Sequence, residues 1–268
     1  MRQIIFICVC LIIWSGGAFA QTPSNSNKPI EIEADQTLEW LRDQKVYIAR
    51  GNAVATQGTL TLKGDILTAH YEEGAAGSTE IKKITIEGNV HVIGEAQQAF
   101  GDSGSYDIET GEVVLEGKNL KITTPTEKIT AERRLEYNTN KKTMKAHGNA
   151  KVTRGQDHLN ADMLTAKFSE NAQGKLALHK IDATGHVVLR NLKETVKSDH
   201  AIYNVSTGKA VLNGSVRILQ GSSWLEGAKA EVDLKTGVSQ LFASQDNNSS
   251  VGTGRVRGIF YPKTQKKD

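Results

Sequence analysis

The chain has 268 residues, and its 33 Lys and Arg against 30 Asp and Glu give a formal net charge of +3. The two signs are interspersed and form no basic stripe, which argues against a nucleic-acid-binding protein. The two cysteines, Cys8 and Cys10, both lie within the first 20 residues, so the rest of the chain has no disulfide framework.

The N-terminus has the features of a secretory signal peptide. Arg2 precedes an apolar run, Ile4 to Trp14, and Ala18-Phe19-Ala20 fits a cleavage site. We therefore predict a signal peptide over residues 1–20, a flexible leader over 21–28 and an exported mature protein. The alternative is that the apolar run stays uncleaved as a membrane anchor, although it is short for a membrane span.

A five-residue motif recurs along the chain. Gly51-Asn52-Ala53-Val54-Ala55 is followed by similar stretches that begin at Gly88, Gly148, Gly185 and Gly214, and by a degenerate copy at Gly117. The glycine pairs 51/148, 88/185 and 117/214 are each 97 residues apart, and residues 49–73 match residues 146–170 at 12 of 25 positions without a gap. The spacing predicts an internal duplication with repeats at 29–125 and 126–245.

The motif predicts β-strands. Positions two and four after each intact glycine are Ala, Val, Leu or Ile, whereas positions one and three are mostly polar, an alternation typical of a strand with one dry face. Turn residues separate these stretches, and the four prolines lie outside the repeats or at their boundaries. We predict short strands from Ile30 to about Phe242, with hairpins at 34–45 and 131–142. A loop at 246–254, a last strand at 255–260 and a basic tail at 263–268 follow.

Four stretches of the sequence form an ordered series: Pro29–Asp35 (PIEIEAD), Gly51–Leu60 (GNAVATQGTL), Leu62–Asp65 (LKGD) and the segment from Tyr106 to Gly117. They resemble the LptA/OstA family of periplasmic lipopolysaccharide-transport proteins, and the resemblance covers residues 29–245. Residues 254–262 look like the ending of the longer members. A short member has about one 97-residue unit, whereas this chain has two, so a longer groove is expected.

The resemblance implies an all-β fold: an open, twisted, V-shaped β-jellyroll of two antiparallel sheets, with lipid acyl chains in the slot between them. The proposed lipid-binding residues are the apolar ones on the dry face. They are Ile30, Ile32, Ala53, Ala55, Leu60, Leu62, Val90, Val92, Ala150, Val152, Val187 and Leu189. The alternative is that these side chains fill a closed core.

An open jellyroll leaves unpaired strand edges, which invite strand addition. We expect the N-terminal edge near Ile30-Glu31-Ile32-Glu33. We expect the C-terminal edge near Val238–Phe242 or near Val256, Ile259 and Phe260. Two different edges that meet would give head-to-tail self-association.

The sequence gives little support for an enzyme. Its seven histidines show no metal-ligand spacing, and nucleophile-elbow, phosphate-loop and metalloprotease motifs are absent. Asp65, Asp102, Asp162 and Asp199 recur with the repeat and are expected to cap turns or to line a solvated edge. We therefore predict no catalytic residue, no metal and no cofactor.

The resulting hypothesis is a soluble bridge that binds lipopolysaccharide and passes it from the inner to the outer membrane. The resemblance implies two partners, a membrane-tethered LptC-like protein and an LptD-like outer-membrane translocon. One alternative is a membrane-anchored component of the same system. The other is a β-rich structural or adhesive repeat protein that binds no lipid.

Overall fold

The computed structural model describes residues 28–74, 78–94, 97–170, 176–233, 235–244 and 255–261. The predicted signal peptide, most of the leader, the loop at 246–254 and the basic tail lie outside this part of the chain. Among the described residues, no helix is long and apolar enough to span a membrane.

The described chain is built from β-strands, all paired antiparallel. In chain order they are β1 (Glu31–Glu33), β2 (Thr37–Leu41), β3 (Val46–Gln57), β4 (Leu60–Glu73), β5 (Thr79–Ile93), β6 (Gln98–Asp107), β7 (Glu112–Glu116), β8 (Leu120–Thr123), β9 (Lys128–Ala131), β10 (Arg134–Asn138), β11 (Thr143–Arg154), β12 (Asp157–Glu170), β13 (Leu176–Arg190), β14 (Thr195–Asn204), β15 (Lys209–Gln220), β16 (Ser223–Asp233), β17 (Val238–Phe242) and β18 (Arg257–Ile259). The prediction of an all-β, antiparallel fold is confirmed.

The strands form a long meander in which the long strands pair with their neighbours in sequence. β3 to β6 pair in order, and so do β11 to β16. The short strands β7 to β10 join these two runs, since β7 and β8 pair with β6 while β9 and β10 pair with β11. Direct pairs of β7 with β10 and of β8 with β9 complete the link.

Each motif glycine marks a β-bulge. Gly51 and Asn52 have φ values of 81° and 45°, and they insert two residues opposite Asp65, because Arg50 pairs with Ile66 and Ala53 with Gly64. Similar register shifts fall at Gly88, Gly148, Gly185 and Gly214. Such bulges bend a sheet and increase its twist.

The bulges divide the meander into two layers that share one interior. β2 pairs with the part of β3 before its bulge, and β1 with the part after it. Ala49 and Ala53, on opposite sides of that bulge, are both fully buried. Most strands therefore run through both layers, so the two sheets expected from the sequence are halves of the same bent strands.

Strand bounds follow the 97-residue spacing. The starts of β3 and β11 give 143 − 46 = 97, those of β4 and β12 give 157 − 60 = 97, and β5/β13 and β6/β14 keep the same offset. The strands are longer than the sequence suggested: Leu60-Thr61-Leu62 is only the start of the 14-residue β4. Both predicted hairpins are present, as β2–β3 and β10–β11.

Candidate functional site

The interior between the two layers contains an apolar cavity of ≈ 70 Å³. Its walls come from β11 to β16, and the cavity is lined by Val152, Arg154, Asp157, Leu159, Ile181, Ala183, Val187, Leu189, Val196, Ala201, Ile202, Tyr203, Ala210, Leu212, Ile218 and Val232. Because Ala183 precedes the bulge of β13 and Val187 follows it, both layers contribute. A cavity of this kind, several times larger than the ~10–15 Å³ that one water needs, suits an apolar guest.

A second, smaller cavity of ≈ 10 Å³ lies in the first repeat. Its lining includes Ile30 and Ala55 together with Leu60, Ile84 and Tyr106. The two cavities occupy equivalent places, because Ala55, Ile84 and Tyr106 become Val152, Ile181 and Tyr203 when 97 is added to their numbers.

The residues proposed from the sequence all lie on the inner side of the sheet, but they have different environments. Val152, Val187 and Leu189 line the larger cavity, and Ile30, Ala55, Leu60 and Leu62 line the smaller one. Ala53, Val90 and Ala150 are at most 1% exposed and pack in the main core. Ile32 and Val92 are partly buried against that core.

Sequence reasoning missed much of the cavity lining. Ile181, Ala183 and Leu212 lie before the bulges, and Val232 lies on β16 after the last intact motif. Most of the predicted residues follow a motif glycine, so the halves of β13 and β15 that precede their bulges were left out. The same alternation of apolar and polar residues runs through those halves and would have identified them. In β5, for example, Ile84 and Ile86 precede the bulge and are only 3% exposed.

Each cavity is lined in part by a tyrosine. Tyr106 and Tyr203 lie near the ends of β6 and β14. Burial raises the pKa of both phenols, and the nearby Asp107 carboxylate adds to the effect at Tyr106. These side chains therefore stay neutral at physiological pH and present an apolar ring with a polar tip.

The predicted assembly residues lie at the two ends of the meander. In the described chain β1 and β2 pair only with β3, and β17 and β18 pair only with β16. Glu31, Ile32 and Glu33 form β1, and Ile30 precedes it; Ile259 ends β18, which Val256 and Phe260 flank. Both ends expose large apolar side chains: Leu38 (57%) and Trp40 (50%) at one, and Val238 (53%) and Phe260 (56%) at the other.

The recurring aspartates act at the bulges. The Asn89 amide donates to Asp65 at 3.0 Å, the Lys118 amide donates to Asp102 at 2.7 Å, and His186 Nδ1 lies 2.8 Å from Asp162. These aspartates lie within strands and do not cap turns, but their exposed side chains fit the expected solvated positions. Within the described ranges, no group of three His, Cys, Asp or Glu side chains could hold a metal ion.

A family model matches the chain three times. It describes an "LptA/(LptD N-terminal domain) LPS transport protein" and matches residues 31–142, 128–238 and 195–258. The first two matches begin 128 − 31 = 97 residues apart. Together the three cover well over half of the chain.

Two individual proteins are similar to the chain. The uncharacterized protein R00383 of Rhizobium meliloti (strain 1021) is 32% identical over 102 residues, which are 37% of this chain and 54% of that protein. The match thus spans about half the length of that relative. The crystal structure of LptH from Pseudomonas aeruginosa, the LptA homologous periplasmic component of the lipopolysaccharide transport device, aligns with 90% of this chain and 100% of its own. The identity is 14% and the TM-score 0.24, so the family assignment rests on the family model.

Proposed function

The chain belongs to the LptA/LptD N-terminal-domain family of lipopolysaccharide transport proteins, and we propose that it is the periplasmic bridge of such a system. In this role it shields the acyl chains of lipid A from water and passes lipopolysaccharide from the inner to the outer membrane. The protein performs no covalent chemistry; it supplies a dry path.

The observation that carries this proposal is the apolar cavity between the layers. Aliphatic side chains such as Val187, Leu189 and Leu212 make up most of its wall, whereas Arg154 and Asp157 are its charged lining residues. A lipid acyl chain gains free energy when it moves from water into such surroundings, at about 0.8 kcal/mol per buried methylene. The alternative hypothesis of a structural repeat protein with a closed core does not account for this cavity.

The two strand edges support a bridge assembled end to end. One edge would accept a membrane-tethered LptC-like protein and the other an LptD-like translocon, with further copies of this chain between them. Strand addition would extend both layers by ~4.8 Å per strand, so the interior would continue from one copy into the next. Movement along it would be driven from elsewhere, because the sequence contains no phosphate-loop motif.

The competing hypothesis within the same system is a chain anchored by residues 4–14. The proposed bridge begins near Gln21 after cleavage and is released into the periplasm. The intact mass of the protein recovered from periplasmic extract separates the two, since an anchored chain would keep residues 1–20.

Site-specific crosslinking in cells tests the lipid path. A photo-reactive residue at Leu189, which lines the cavity, should crosslink to lipopolysaccharide. The matched control is Val188, also in β13, because a one-residue step along a strand moves the side chain to the opposite face. Equal yields from the two positions would reject an interior path for the lipid.

A further inference from the structure

The two repeats differ inside although their strands coincide. Six positions line both cavities at an offset of 97, yet the volumes are ≈ 10 Å³ in the first repeat and ≈ 70 Å³ in the second. In number order these pairs are Ala55/Val152, Gln57/Arg154, Leu60/Asp157, Leu62/Leu159, Ile84/Ile181 and Tyr106/Tyr203. The difference in volume therefore arises from other side chains. We call the positions of Ile86 and Ala183 the floor of each repeat, and the positions of Ile30, Gln57 and Leu60 and their equivalents its mouth.

The floor of the first repeat is filled by Ile86. Gly64 and Gly104 leave room for it: a Cβ added at Gly64 would lie 2.6 Å from Ile86 Cγ1, and one added at Gly104 would lie 3.3 Å from Ile86 Cγ2. In the second repeat the equivalent residues are Ala161, Ala183 and Ala201. The side chain of Ala183 ends at Cβ, so the centre of the interior stays open there, and both Ala183 and Ala201 line the larger cavity.

The mouth of the first repeat has an apolar rim, to which the segment before β1 contributes. Ile30 and Leu60 line the small cavity, and Gln57 Nε2 donates a hydrogen bond to the Lys28 carbonyl at 3.0 Å. This contact holds the segment before β1 against the opening. The first repeat is therefore filled by Ile86 at the floor, and residues 28–30 form part of its apolar rim.

The mouth of the second repeat carries charges instead. The positions of Ile30, Gln57 and Leu60 are taken by Glu127, Arg154 and Asp157. Arg154 Nε lies 4.0 Å from Glu127 Oε1, with 23% and 10% of the two side chains exposed. An apolar floor below a charged rim matches a molecule that has an acyl chain and a polar head.

We propose that the second repeat is the resting site of one lipid acyl chain, and that Ile86 makes the first repeat a closed passage in the unloaded protein. This inference rests on the proposed function and adds to it the location of the bound chain. The acyl chain lies between Ala183 and Leu189, and the polar head stays in water beside Arg154 and Asp157. The two repeats thus have the same fold but different affinities for an acyl chain.

The first test exchanges the floors of the two repeats. The variant Ala161→Gly, Ala183→Ile, Ala201→Gly gives the second repeat the side-chain set that already packs in the first. It should bind the fluorescent fatty acid cis-parinaric acid about tenfold more weakly, the effect of losing contacts with roughly two methylene groups. Purified lipopolysaccharide should displace the probe from the wild-type protein.

The reverse exchange is the matched control. Gly64→Ala, Ile86→Ala, Gly104→Ala should open the first repeat and raise the stoichiometry from one probe per chain to two. Circular dichroism and thermal unfolding report whether each variant is folded. The inference is overturned if the folded triple variant with Ala183→Ile binds the probe with wild-type affinity. It is also overturned if the wild-type protein binds no probe.

A second measurement needs no change at the floor. Ile181 and Ile84 are equivalent and line their respective cavities. A photo-reactive residue therefore occupies the same position on its strand in either repeat. Only the one at Ile181 should crosslink to lipopolysaccharide in the purified monomer. Equal yields at both sites would overturn the second-repeat site and leave the lipid bridge standing, whereas no crosslink at either site would overturn both.

Discussion

At the scale of single residues, three of the five bulges share one polar contact, and the bulge of β13 replaces its asparagine with a histidine. Asn52, Asn89 and Asn149 follow the motif glycines with positive φ, and their side-chain amides donate to Asp35, Asp65 and Glu132. His186 takes the same place in β13, with φ 45°, and contacts Asp162. Three bulges therefore have a neutral amide donor at this position, the bulge of β15 has Ser215, and the bulge of β13 has a titratable group.

The His186–Asp162 contact predicts a pH dependence. The hydrogen bond to Asp162, followed by its charge, raises the pKa of His186 above the usual value. Since the folded-state pKa is the higher one, the contact contributes fully below the unfolded value of ~6.5 and is lost as the pH rises through the folded pKa. The side chain is 90% exposed, so the contribution to stability is small.

An NMR titration of the His186 ring measures this directly. The wild-type protein should give a pKa above ~6.5, and Asp162→Asn should lower it because the charge and the acceptor are both removed. An unchanged pKa in the Asp162→Asn protein would show that the carboxylate has no effect on the ring.

At the scale of the strand, the glycine of each bulge is under two constraints. Gly88 has φ +75°, and a Cβ placed there would lie 2.1 Å from Asp65 Oδ2. Gly155, in the turn between β11 and β12, has φ +57° but nothing within 4 Å of an added Cβ. An added methyl group is therefore subject to backbone strain alone at Gly155, and to both strain and steric crowding at Gly88.

Alanine substitutions at these glycines should differ in cost. Gly155→Ala should lower the free energy of unfolding by ~1–2 kcal/mol, the cost of the left-handed conformation alone. Gly88→Ala should cost roughly 1 kcal/mol more, because Asp65 must move away from its hydrogen bond with Asn89. Urea denaturation of both variants measures the difference, and equal losses would mean that the bulge accommodates a methyl group freely.

The strand scale also shows where sequence reasoning succeeds. Alternation and turn residues such as Asn138-Thr139-Asn140 predicted the hairpins of β2–β3 and β10–β11, because those features are local. The location of the larger cavity could not be predicted, since Ile86 and Ala183 both satisfy an apolar position in the same alternation. Whether such a side chain fills the interior depends on Gly64 and Gly104, which lie on other strands.

At the scale of the whole molecule, the two ends of the meander are different surfaces. Leu38 and Trp40 are exposed beside the first edge, and Val238 and Phe260 beside the last. Contacts between unlike ends propagate instead of closing as a two-fold dimer. Each joint would then place the larger cavity of one copy next to the closed repeat of the following copy, so an assembled bridge would alternate open and closed segments.

Proline substitutions in β1 test whether this edge mediates assembly. Proline removes an N–H donor, and adjacent residues of a strand direct their N–H groups to opposite sides. One of the variants Ile32→Pro and Glu33→Pro therefore disrupts the pairing of β1 with β3. The other removes an N–H donor from the unpaired edge of β1. The latter should stay folded but lose concentration-dependent oligomers and the partner that binds the N-terminal end. Light scattering over a concentration series, with circular dichroism as the folding control, distinguishes them. Wild-type oligomers from both variants while both remain folded would exclude β1 as the joint.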